Sequence, residues 1–259
     1  MKLTKKFANG FTALLVACAA LTFVSAARAQ NEQDGKAIVR ALLGTPEYSK
    51  QGAAFIPLKV NTILHAGDVV KTKEGDHVDL FLGKNNGVVQ VTPNSTLLLD
   101  KLTFKDTGAE IVSDTELDVR AGTILGKVNK MANASKYEIK TPRGVAGIRG
   151  TKYSVSASGQ VTVAEGTVVV VYVIGGVAQP PITVHAGETV VPGGTPKPAP
   201  KDVINDILNG LHDAENHVGN TVFIEVFLAP VVVEPFISPT LPPGAAAGAV
   251  LPPPVLPEN

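Results

Sequence analysis

The chain has 259 residues, with 23 Lys and Arg set against 23 Asp and Glu, 25 glycines, 19 prolines and no tryptophan. That length holds one large domain or two small ones, and the balanced charge excludes a protein built to neutralise nucleic-acid phosphates. A single cysteine, Cys18, excludes a disulfide framework and a cysteine-based metal site.

Residues 1–29 read as a secretory signal peptide. Lys2, Lys5 and Lys6 give a positive start, FTALLVACAALTFV follows as an apolar run, and SAARA closes it. Ala27 and Ala29 are the small residues of the cleavage site. LVAC (15–18) also fits lipoprotein processing, in which Cys18 would carry lipid. The apolar run continuing to Val24 and the alanines after it favour ordinary cleavage. Cleavage removes four cations (Lys2, Lys5, Lys6, Arg28) and no acid, leaving 19 Lys and Arg against 23 Asp and Glu. The expected mature chain is mildly acidic, cysteine-free, and periplasmic or secreted.

After a short linker (30–36), residues 37–192 read as an all-β domain, with aliphatic runs broken by Gly, Asn, Asp and Pro every 8 to 12 residues or so. HVDLFL (77–82) alternates and places Val78, Leu80 and Leu82 on one face. Asn86–Gly87 then signals a two-residue hairpin, and VVQV (88–91) returns. In SGQVTVAEG, Val161 and Val163 point one way and Thr162 the other. TVVVVYVI (167–174) lacks polar alternation and reads as a strand covered on both faces. Two pairs of turns echo each other: HAGDVV (65–70) with HAGETVV (185–191), and RAGTIL (120–125) with AEGTVV (164–169). Short strands with glycine turns fit either a β-solenoid or a sandwich.

Residues 193–201 (GGTPKPAPK) read as a linker stiffened by proline. Residues 202–217 follow as a short amphipathic helix, with Ile204, Ile207, Leu208 and Leu211 at i, i+3, i+4 and i+7, Asp202 placed as a cap, and an interruption at Gly210. Residues 218–259 are apolar yet dense in proline, which excludes a membrane-spanning helix and leaves a disordered or extended tail.

The stretch TPRGVAGIRGTKYSV (141–155) holds Gly144, Gly147 and Gly150 beside Arg143 and Arg149. A phosphate loop needs Gly-x4-Gly-Lys-Ser/Thr ahead of a helix; here the spacing is three and a strand follows. The reading is a tight passage between strands, with YEIKTP entering, Pro142 ending its pairing, and TKYSV leaving. Arg143 and Arg149 are the candidate binding residues, either closing open carbonyls at the corner or presenting an anion spot. His212 and His217, five apart, do not share a helical face, so a solvated helix end is favoured over a metal site. His65 and His185 precede matching turns. Nothing resembles a nucleophile elbow. Asp68, Asp79, Glu165 and Glu188 keep open a hydrolase with a carboxylate site, but no catalytic residue, metal ligand or cofactor is assigned.

Taken together, these segments resemble the FecR-like domain family of bacterial envelope proteins. The resemblance rests on IPLKVNTILHAGDVVKT (56–72), VDLFLGKNNGVVQVTPNSTLLLDKL (78–102), LDVRAGTILGKVNK (117–130), VTVAEGTVVV (161–170) and HAGETV (185–190). Most distinctive is YEIKTPRGVAGIRGTKYSV (137–155), in which Thr141, Pro142, Gly144, Gly147, Gly150 and Thr151 form the structural signature. It implies binding and signalling: the best-known members are anti-sigma regulators of iron uptake, with a cytoplasmic arm, one transmembrane helix and this domain in the periplasm. Here the only long apolar segment is the expected signal, which puts direct anti-sigma action in doubt. The expectation is an exported, non-catalytic binding or scaffold protein that engages an envelope protein or surface polymer. The alternative is an accessory in envelope signalling or iron-uptake regulation acting through a separate membrane anti-sigma protein.

Overall fold

A computed structural model of the protein describes residues 32–83 and 86–219. The signal segment, Cys18 and nearly all of the proline-rich tail lie outside the described residues. In chain order the opening strands are β1 (Gln33–Asp34), β2 (Ala37–Leu43), β3 (Glu47–Ser49), β4 (Ile56–Pro57), β5 (Ile63–Leu64) and β6 (Val69–Lys71). The central strands are β7 (His77–Phe81), β8 (Val88–Val91), β9 (Thr96–Asp106), β10 (Ile111–Ala121) and β11 (Thr123–Lys127). They continue with β12 (Lys136–Thr141), β13 (Gly144–Ile148), β14 (Lys152–Ser156) and β15 (Val161–Glu165). Last come β16 (Thr167–Ile174), β17 (Val177–Ala178), β18 (Ile182–His185), β19 (Glu188–Val190), β20 (Lys197–Pro198) and the helix α1 (Lys201–Gly219).

The strands form two open sheets that share one core. The first, of 11 strands, runs β17-β16-β13-β12-β10-β9-β6-β3-β4, with β1 on β9 and β18 on β16; the second, of nine, runs β20-β19-β15-β14-β11-β8-β7-β2-β5. Apart from β4 and β5 at the outer ends, strand number climbs from one end to the other in both sheets, so the chain advances along the molecule while crossing repeatedly between layers. Of the two expected architectures the layers are those of a sandwich, and the steady advance is that of a solenoid. Pairing is antiparallel except for β10 with β12, which run parallel because β11 carries the chain through the other sheet between them.

Alternation fills the core. Val78, Leu80 and Leu82 turn inward as expected, as do Val161 and Val163. Tyr137 from the first sheet meets Tyr153 from the second, hydroxyl to hydroxyl at 3.3 Å, and Tyr172 donates to the Gly159 carbonyl at 2.8 Å. Burial pushes the phenols of Tyr137 and Tyr153 well above the usual range and that of Tyr172 up to about 12. A phenol is neutral when protonated, so a raised folded-state pKa means the native chain holds protons that the unfolded chain releases. Stability from these groups is therefore intact below pH about 10 and is lost as pH climbs beyond it. In an alkaline titration the phenolate absorbance of these three tyrosines should rise together with loss of the far-ultraviolet β signal. Their ionisation in the ordinary tyrosine range with the fold intact would contradict this packing.

The echoed turns share chemistry at the corners between sheets. The His65 amide donates to Asp68 Oδ2 at 3.0 Å, and the His185 amide to Glu188 Oε2 at 2.8 Å. Gly67 and Gly187 follow with φ of 90° and 80°. In both, a carboxylate three residues on closes the turn, so these histidines act there through their backbone.

Four local expectations differ from the structure. Phe81 pairs with Val88, so the β7–β8 connection spans 82–87 and is longer than a two-residue turn, although Gly87 keeps a φ of 71°. The stretches read as linkers supply edge strands: β1 pairs with β9, and β20 with β19. Among the described residues, β16 is covered on one face only. Val168, Val170 and Tyr172 are buried, while Val169 and Val173 stay 43% and 42% exposed. Finally, α1 runs unbroken through Gly210, and its first turn hangs from the Pro200 carbonyl, which accepts the Ile204 amide at 3.2 Å. Asp202 lies within that turn, where its charge faces the helix dipole.

α1 lies on the outer face of the second sheet. Ile207, Leu211 and Ala214 are buried against Val88, with Phe81, Leu125 and Ala164 alongside. A Cβ at Gly210 would come within 2.9 Å of both Gln90 Oε1 and Leu125 Cδ1. The glycine brings helix and sheet close instead of breaking the helix.

Candidate functional site

The signature segment holds two turns around a strand. Thr141 pairs with Gly144, so Pro142 and Arg143 form a two-residue hairpin tip between β12 and β13. GVAGI is itself β13, a strand where the sequence reading placed a corner. The chain then crosses to the second sheet at Arg149, Gly150 and Thr151. Each part has a local cause. Thr141 Oγ1 accepts the Arg143 amide at 3.1 Å and donates to the Gly144 carbonyl at 3.2 Å. Thr151 is buried; its Oγ1 donates to the Thr167 carbonyl at 2.9 Å, and its amide and carbonyl bond Val128.

The three glycines are not equivalent. Gly144 has φ of 154°, and a Cβ there would sit 2.2 Å from the Val171 carbonyl oxygen. Gly150 has φ of 61°, a left-handed turn position. At Gly147 an added Cβ would meet nothing closer than the Val169 carbonyl at 3.8 Å. Packing does not demand glycine at 147; its effect is a bare spot on the outer face of the first sheet.

Arg143 and Arg149 flank β13 at opposite ends. Six residues of strand put them about 20 Å apart, too far to hold one phosphate together. Arg143 lies over Gly159, and its carbonyl accepts the Val173 amide at 2.8 Å. Arg149 Nη2 donates to Asn133 Oδ1 at 2.6 Å. The carboxylates kept open for hydrolysis each have their own partner: Asp68 and Glu188 close turns, Glu165 pairs with Lys152 at 3.0 Å, and Asp79 accepts from Gln90 at 2.9 Å. Among the described residues no group of three or more His, Cys, Asp or Glu is placed to hold a metal.

Two features were not read from the sequence. His217, expected at a solvated helix end, contacts Asp79 through Nδ1 at 2.7 Å, and Asp79 is buried. With Gln90, Asp213, Asn216 and His77 it lines an open depression where α1 ends over the second sheet. Lys127 pairs with Glu215 beside it. The depression belongs to helix docking: Asp79 is sealed because the helix lies over it.

The second feature is the outer face of β13 and β16. Val145 lies beside Val171, and Gly147 beside Val169, which in turn adjoins Thr183 of β18. Val169 and Val173 are exposed there. Toward β10 and β12 the same face becomes charged. Lys140 binds Asp100 and Glu116 at 2.8 and 2.5 Å, Lys101 binds Asp114 at 2.6 Å, and Lys136 binds Glu138 at 3.1 Å. The run of valines in TVVVVYVI was the signal; what the sequence lacked was whether anything covers the outward ones.

Residues 68–169, from the β5–β6 corner into β16, match the family model described as FecR protein. The chain carries a FecR-like domain there. The match includes the whole signature and two of the four echoed turns, 120–125 and 164–169, and the sheets extend past it at both ends. No curated protein matches the FecR-like chain. Among the described residues, no helix is long and apolar enough to cross a membrane.

Proposed function

We propose that this FecR-like protein is exported and works without catalysis, as a binding module of the cell envelope that engages a protein or surface polymer. The observation carrying this reading is the bare valine face. The chain covers the outer face of its second sheet with α1 and leaves Val145, Val169, Val171 and Val173 on the first sheet facing outward. Contiguous outward aliphatics of this kind mark a surface that meets something. A full-length chain immobilised against envelope extract should retain a component that a Val169→Lys/Val171→Lys variant loses, both changes being outward and tolerable to the fold. Retention of nothing by the unaltered chain would overturn the proposal.

Export is the other half of the reading, and it rests on the signal-like start. N-terminal sequencing of the protein recovered from the periplasm or medium should begin at Gln30. A lipid-modified N-terminus at Cys18 would instead make it a membrane-anchored form. The FecR match favours a second, narrower reading, an accessory in envelope signalling or iron-uptake regulation. It is tested by whether the retained component is a membrane anti-sigma protein or an iron-uptake receptor.

A further inference from the structure

We infer that the valine face receives an amphipathic helix of a partner protein, with a basic residue on the helix's flank; this rests on the binding reading above. The register lays out the site in rows. One row runs Asp118, Lys140, Val145, Val171; the next runs Glu116, Glu138, Gly147, Val169, Thr183. Gly147 therefore makes a dip with valines on one side and two side-by-side carboxylates on the other. Like charges directly opposite on neighbouring strands oppose each other. Glu116 is relieved by Lys140 and Glu138 by the more exposed Lys136. An incoming Lys or Arg beside the dip would complete that neutralisation.

Size decides between occupants. Three strands about 4.8 Å apart, β13, β16 and β18 with 5, 8 and 4 residues, give a flat footprint of roughly 300 Å². A stable dimer buries about 800 Å² on each partner, so a second copy of the chain finds too little here. One helix fits, and the molecule displays the same solution on its other sheet. There α1 sets apolar residues on Val88 and Leu125, approaches closely through a glycine, and closes its rim with Lys127–Glu215 and His217–Asp79. On the first sheet the glycine belongs to the sheet, so a side chain of the incoming helix fills the dip.

The test places a photo-crosslinking phenylalanine at Val169 of the full-length protein in envelope extract, and sequences the peptide that is captured. The expected peptide has apolar residues at i, i+3, i+4 and i+7 and a neighbouring Lys or Arg. Synthesised, it should be helical when bound and lose at least tenfold in affinity on Gly147→Leu, or when its basic residues become Glu. Gly147→Leu should melt with the unaltered protein, because the site has open space; if it does not, Val171→Lys serves as the second variant with the same expected loss. Crosslinks to another copy of this chain, or to a segment without helical spacing, would overturn the inference. An envelope component retained by the protein but never crosslinked from Val169 would overturn it and leave the binding reading standing. Retention of nothing would end both.

Discussion

Gly144→Ala is expected to cost about 3 kcal/mol or more, by overpacking and backbone strain together, whereas Gly147→Ala leaves stability unchanged or raises it by up to about 1 kcal/mol. The two glycines sit three residues apart in one signature and on one strand. At 144 a Cβ lands 2.2 Å from the Val171 carbonyl oxygen and 2.8 Å from Tyr172 Cα, both backbone atoms of the paired strand β16, with φ at 154°. Neither can move without breaking the β13–β16 ladder. At 147 the nearest atom is 3.8 Å away, and alanine only removes freedom from the unfolded chain. Urea midpoints of the two variants separate them. A total stability of 5–15 kcal/mol is ordinary for a domain, so Gly144→Ala takes a large share. Equal losses at the two positions would contradict the assignment of Gly147 to the binding face.

Leu211→Ala is the second large effect, expected at about 2–5 kcal/mol for truncating a fully buried leucine. Leu211 is 0% exposed and stands with Ile207 and Ala214 at the centre of the α1 contact. Its loss falls on the docking of the helix as well as on global stability. Amide hydrogen exchange should therefore accelerate across Lys201–Gly219 first, and then at β7 and β8, where Asp79 and Gln90 lose their cover. A global midpoint shift without faster exchange in the helix would mean that α1 is no separate unit of the structure.

Much of the domain was legible because β chemistry is local. Alternation in HVDLFL and SGQVTVAEG set the inward faces, and glycine after Ala in the echoed turns set the corners. The helix was legible in its 3.6-residue period, although Gly210 misled: a glycine in a helix reads as a break until one knows what the helix lies against. The same limit explains β16. An unbroken aliphatic strand looks buried on both faces, and only the placement of β13, β17 and β18 beside it shows that no described residue covers its outer side. Asp79 and His217 lie 138 residues apart, and nothing local couples a strand carboxylate to a late helical histidine. Arg143 and Arg149 looked like one site because six residues separate them; GVAGI being extended turns that closeness in sequence into distance in space.

In the proposed function, the outer face of β13 and β16 is where this protein meets its partner. Hydrogen exchange of the full-length chain, with and without the component it retains from envelope extract, tests this most directly. New protection is expected to concentrate in Gly144–Ile148, Thr167–Ile174 and Ile182–His185, with α1 unchanged. Protection over α1 and the depression beside His217, with β13 and β16 unaltered, would contradict it.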